Sequence, residues 1–173
     1  MKSALRIVSE FERKDHPLGK SIYRGEVPLL VSQLIIRLGI PESELNYEPT
    51  SLKRLEDKLF ELSLSVDLQI FSEEEIVQLV REITAYLGEV LVLHANGRWE
   101  SLGTLLSTNV IVEGDIKIVK EGQRRVVPSV AFRPGFTGAG AWDMIIAGRK
   151  PILFREYVDA KKKTIKEELG RKK

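Results

Sequence analysis

Cysteine is absent from this chain. That excludes disulfides, thiolate catalysis and every zinc site built on sulfur. Histidine occurs only twice, at His16 and His94. A catalytic zinc site would need both of them plus a carboxylate, and they lie in segments of different character. No metal and no cofactor is therefore expected. Asn, Gln and Met are scarce while Glu, Lys and Arg are plentiful, a balance that hints at a heat-adapted source. No apolar run reaches the roughly 18–20 residues of a membrane span. The longest, Val27 to Leu38, is interrupted by Ser32, Gln33 and Arg37. The N-terminus MKSALRIVSEFERKD has too short an apolar part for a signal peptide, and acids follow at once, so a cytoplasmic location is expected.

What remains is an ordinary globular composition. With 173 residues, 43% of them apolar and 30% charged, the chain suits one domain over 1–173 with a sizeable core. The net charge of +2 is unevenly spread, because residues 149–173 hold ten Lys or Arg against four acids. The basic balance is a property of that end, which is expected to be partly frayed over 161–173.

The periodicity predicts an α+β fold: N-terminal helices, one long central helix, a small antiparallel sheet and a C-terminal helix. Residues 3–12 suit a short helix or strand. EVPLLVSQLIIRLG suits a helix over 27–38, with Pro28 in the first turn and Gly39 as the left-handed stop. Its apolar residues cover nearly all faces, so it is expected to be deeply buried or to lie at a subunit contact. TSLKRLEDKLFEL predicts a helix with one stripe, Leu52, Leu55, Leu59 and Leu62. FSEEEIVQLVREITAYLGEVLVLHANG predicts the central helix near 73–95, opened by a Ser72–Glu75 capping box. Thr84, Gly88 and Ala95 form a small-residue flank on it that would admit another backbone. NVIVEGDIKIVKEGQRRVVPSVAF then suits two or three strands, turned at Gly114-Asp115 and Glu121-Gly122, with Pro128 at an edge or an end. KPILFREYVDAKKKTIKEEL predicts the last helix, from Pro151.

Four places invite a chemical reading. RPGFTGAGAWDM, 133–144, has the GxxxxG spacing of a phosphate loop, but Ala141-Trp142 stands where the Lys and hydroxyl residue are required. It also has two of the three glycines of a dinucleotide turn, with Asp143 in the third place. The segment therefore reads as a surface loop anchored by Phe136 or Trp142. Arg133 in it could hold an anion, and Phe136, Trp142 and Asp143 could serve as partner contacts. His94, on the apolar stripe in the last turn of the central helix, reads as a core or cap residue. Glu82 and Glu89 share a helix face at a spacing that suits paired acids, but a solvated face is the ordinary explanation. The basic end, with Lys161, Lys162, Lys163, Lys166 and Arg171, could touch phosphates or an acidic partner, although no aromatics are interleaved for base stacking.

Three stretches carry a likeness. LNYEPTSLKRLEDKL resembles an "LDYS…SL…E" segment of small uncharacterised bacterial proteins, REITAYLGEVLVLHANGRWES is similar to the "AYxGEV…GGxW" segment that follows it there, and NVIVEGDIKIVKEGQRRVVPSVAF stands where those proteins have a hairpin. The likeness covers about residues 45–132; here Asn96-Gly97 replaces the double glycine before Trp99. It implies a compact α+β domain and marks Tyr86, Gly88, Glu89, Gly97 and Trp99, beside His94, as a junction between helix and sheet. It implies no catalytic residue.

The expectation is a non-enzymatic interaction module of accessory, regulatory or immunity type. Its partner would be another protein or a second copy, the latter through helix 27–38. The alternatives are nucleic-acid or acidic-partner binding through the basic end, and a hydrolase using Glu89, Arg133 and Asp143 around the glycine-rich segment.

Overall fold

The computed structural model describes residues 1–112, 116–120, 123–126 and 130–170, with side chains over 1–112 and 130–162. The order is α1 (Ala4–Arg13), α2 (Val27–Leu38), α3 (Ser51–Ser65), α4 (Glu73–His94), β1 (Gly97–Ser101), β2 (Thr108–Val112), β3 (Ile116–Lys120), β4 (Gln123–Val126), β5 (Val130–Phe132), α5 (Pro134–Ile146) and α6 (Leu153–Gly170). The fold is α+β. Strands β1, β2 and β5 form one antiparallel sheet in that order, with Trp99 opposite Val110 and Val110 opposite Phe132. β3 and β4 pair as a separate antiparallel ribbon. The turns at Gly114-Asp115 and Glu121-Gly122, and Pro128, lie outside the described residues.

α4 is the axis of the molecule. Its capping box is formed: Ser72 Oγ accepts from the Glu75 N–H at 3.1 Å, and Glu75 Oε2 accepts from the Ser72 N–H at 2.8 Å. Three acids occupy its first turn, where the helix dipole favours them. Every residue from Leu79 to Leu91 is buried, because α1, α2, α5 and the sheet pack around it. A helix enclosed this way buries charged residues along with apolar ones, and each then needs a partner. Residues 3–12 resolve as helix α1, capped by Ser3. α2 has the expected bounds and ends on Gly39 at φ 60°.

The segment 133–144 is helix rather than a loop. Pro134 takes the first turn of α5, where a missing N–H costs nothing. Two of the three glycines that argue against helix serve packing. A Cβ on Gly135 would stand 2.5 Å from the Leu105 carbonyl oxygen; one on Gly138 would stand 2.9 Å from Thr84 Oγ1 and 3.1 Å from the Val80 carbonyl oxygen. α5 thus lies close against α4, at Thr84 of the expected small-residue flank. Gly88 of that flank receives the Trp99 ring rather than a backbone. The last helix starts at Leu153, two residues beyond Pro151.

Candidate interaction face

α2 turns Val27, Leu30, Val31 and Leu34 into the core. The opposite side carries Leu29 and Ile36, two turns apart, which are 64% and 79% exposed. Ser32 and Gln33 lie between them. Residues 27–36 contain no ionisable group. The helix that reads as apolar all round is therefore half core and half surface.

A shallow cleft of about 490 Å³ runs beside this stripe, lined by Gln33, Ile36, Arg37, Gln78 and Glu82. Its floor is a two-rung polar ladder between α2 and α4. Gln78 Nε2 donates to Gln33 Oε1 at 2.9 Å and to Glu82 Oε1 at 3.3 Å. Arg37 grips Glu82 with both arms, Nε to Oε2 at 2.9 Å and Nη2 to Oε1 at 3.0 Å. The Glu82 side chain is fully buried. Its hydrogen bonds raise the Arg37 guanidinium above the ordinary arginine value, against the opposing effect of burial. The signal in the sequence was the matched spacing: Gln33 and Arg37 four apart on one helix, Gln78 and Glu82 four apart on the other. Sequence reasoning missed Gln33, Arg37 and Gln78 as a set, because partners distant in sequence cannot be matched by spacing alone.

Glu82 and Glu89 correct the expectation of a solvated acidic face, since both are buried. Glu89 Oε1 accepts from Arg24 Nη2 at 3.1 Å, and Glu89 Oε2 accepts from Trp99 Nε1 at 2.9 Å. They do not form a paired site; each carboxylate is neutralised by a different arginine. Around Glu89 the helix–sheet junction assembles. The Trp99 ring lies over Gly88, and a Cβ on Gly97 would stand 2.7 Å from Val110 Cγ1. The Tyr86 hydroxyl accepts from the Tyr47 N–H at 3.0 Å and shares a hydrogen bond with Ser51 Oγ at 2.5 Å, while its ring stacks on Tyr47. Burial pushes the Tyr86 phenol above its ordinary value. His94 closes α4, half-buried.

The four residues singled out in 133–144 separate. Trp142 is 1% exposed and meets Phe71 edge-on at 5.4 Å, so it is a core residue and not a partner contact. Asp143 Oδ1 accepts from the Ala4 N–H at 2.6 Å and so holds the N-terminus of α1. Arg133 is exposed and lies over the Phe136 ring at 5.7 Å. Phe136 remains partly exposed, at the edge of a cleft of about 320 Å³ between α5 and α6 that Met144 and Ile152 also line. Glu89, Arg133 and Asp143, the trio of the hydrolase alternative, are thus engaged with Arg24, Phe136 and α1 respectively.

At the basic end, Lys162 is exposed and Lys161 Nζ lies 5.8 Å from the Tyr157 ring centroid. The side chains of Lys163 and Lys166, and the whole of Arg171, lie outside the described residues. Among the described residues no group of three or more His, Asp or Glu is arranged to hold a metal ion, and no helix is long and apolar enough to cross a membrane. The sequence matches no protein-family profile, no curated protein and no solved structure.

Proposed function

We propose that this chain is a non-catalytic protein-binding module, accessory, regulatory or immunity-type in role, which docks through the outward stripe of α2. The observation that carries the reading is the exposure of Leu29 and Ile36 on one face of a helix. Fully burying an aliphatic side chain of this size is worth about 1.5–3 kcal/mol, so a partner that covers both gains from each. The charged groups beside them, Arg37 and Glu82, are paired with each other, so docking there strands no ion. The inward carboxylates support the non-catalytic reading. Asp143, Glu12 and Glu56 accept from the backbone N–H groups of Ala4, Leu106 and Phe154, and Glu82 and Glu89 hold arginines. All five act as structural acceptors.

The test is capture from source-cell extract with the tagged full chain, read by mass spectrometry and by absorbance at 260 nm. The expected result is a stoichiometric protein, which includes an untagged copy of the chain itself, that is lost with Leu29→Asp or Ile36→Lys. Nucleic acid that elutes with salt and is indifferent to these changes would overturn the reading in favour of the basic end.

A further inference from the structure

We infer that the cleft between α5 and α6 is a binding site for a small aromatic primary amine. This goes beyond the docking reading of α2, since no residue of that helix enters the cleft. The argument starts from a glycine. Gly135 and Gly138 of α5 are needed where the Leu105 carbonyl, Thr84 and the Val80 carbonyl come close. Gly140 is not, because a Cβ there would meet nothing within 4 Å. Glycine in a helix interior weakens the helix against alanine, and at Gly140 no contact within the chain offsets that.

The place of Gly140 supplies a reason. Phe136, Gly140 and Met144 are spaced by four, so they share one face of α5 and all line the cleft. Gly140 leaves a notch between two large side chains whose positions lie about 12 Å apart along the helix. Ile152 and Glu156 line the same cleft from the start of α6, beside buried Leu153. Its volume of about 320 Å³ lies at the small end of ligand sites. The Phe136 ring and the Met144 thioether both favour an aromatic neighbour.

Charge selects the rest of the ligand. Among the described lining residues, Glu156 alone is ionisable. It stands in the first turn of α6, where the helix dipole favours an acid. That accounts for an acid there but gives its carboxylate no partner. Its neighbours three and four residues away are Ile152, Leu153, Asp159 and Ala160, none of them a cation. Neither the Glu156 carboxylate nor the Thr137 hydroxyl, which also lines the cleft, has a hydrogen-bond or ion-pair partner among the described residues. An anionic ligand would be repelled, and a neutral one would desolvate Glu156 without replacing the lost water. A primary ammonium has three donors, enough for the carboxylate and the hydroxyl together.

The probe is 2-phenylethylamine, titrated into the isotope-labelled full chain and followed by amide NMR shifts. The shifts should saturate, with a dissociation constant of about 1 mM or tighter for a probe of this size. They should concentrate in residues 136–144 and 152–156. The neutral 2-phenylethanol and the anionic phenylacetate should bind at least about tenfold more weakly, because each forfeits the charge-assisted hydrogen bond. Glu156→Gln keeps the shape, removes the charge and should weaken the amine by a similar factor. Gly140→Leu places a side chain in the notch and should abolish binding. Its melting temperature should not fall, because leucine favours helix over glycine and nothing within 4 Å opposes a Cβ there.

Shifts that never saturate, shifts that scatter over other acidic positions, or equal binding of the amine, the alcohol and the carboxylate would each overturn the inference. So would binding that is indifferent to Gly140→Leu in a variant that melts no lower than the wild type. Should Gly140→Leu fail to fold, Glu156→Gln decides alone: undiminished amine binding by that variant would overturn the inference. None of these outcomes bears on capture through Leu29 and Ile36.

Discussion

At the scale of single residues, buried ions decide more than their number suggests. Glu82 is wholly enclosed, and Arg37 supplies both of the strong hydrogen bonds that make its charge tolerable. Removing one partner of such a pair leaves an uncompensated charge, at a cost of about 3–5 kcal/mol. Arg37→Ala should therefore lower the stability of the chain by an amount in that range, read from the urea midpoint. Arg37→Met combined with Glu82→Leu should recover most of it, because that substitution removes the ion together with its partner.

Glu56 shows the reverse balance. It is 8% exposed and accepts from the Phe154 N–H at 2.9 Å near the start of α6. Burial raises its carboxyl above the ordinary glutamate value, outweighing that hydrogen bond and the pull of Lys150 and Lys53; nearby Asp57 adds to the rise. A carboxyl whose folded value is raised is held back as an anion, so its share of stability falls as pH climbs through that value and returns on acidification. Glu56→Gln keeps an oxygen for Phe154 and removes the charge. Denaturation midpoints should then show less decline with rising pH between the ordinary glutamate range and neutrality. A wild-type slope carried over unchanged to the variant would contradict this.

At the scale of elements, α5 shows why local rules misread a glycine-rich segment. Each glycine in a helix interior costs about 1 kcal/mol against alanine, and three of them read as a loop. The cost is offset where the missing Cβ lets α5 lie against α4 and the segment before β2. This separates the glycines by contact. Gly138→Ala should destabilise by roughly 1–3 kcal/mol, because the new methyl meets Thr84 Oγ1 and the Val80 carbonyl. Gly140→Ala meets nothing within 4 Å and should stabilise by up to about 1 kcal/mol. Thermal melts of the two single variants check both signs; equal effects would mean that α5 is not held by its packing. α2 and α4 gave clearer local signals. Their caps, Pro28 with Gly39 and Ser72 with Glu75, act within a few residues, and their bounds were readable for that reason.

At the scale of the whole molecule, the distribution of apolar and charged groups follows from what α4 is surrounded by. Apolar periodicity identified its core stripe, Ile76, Val80, Ile83, Leu87, Val90 and Leu91, and all six are buried. The same pattern assigned Glu82 and Glu89 to solvent, because a one-sided helix would leave them there. Packing on more sides encloses them instead, and Arg37 and Arg24 come from chain 45 and 65 residues away to meet them. By itself the sequence determined what depends on near neighbours: the α+β class, the caps and stops of α2 and α4, and the absence of thiol chemistry. Tertiary structure alone decided which side of α2 is covered, that 133–144 is a helix, and that Trp142 and Asp143 face inward. Those outcomes depend on contacts between segments far apart in the chain, where a missing Cβ or a distant guanidinium outweighs local propensity.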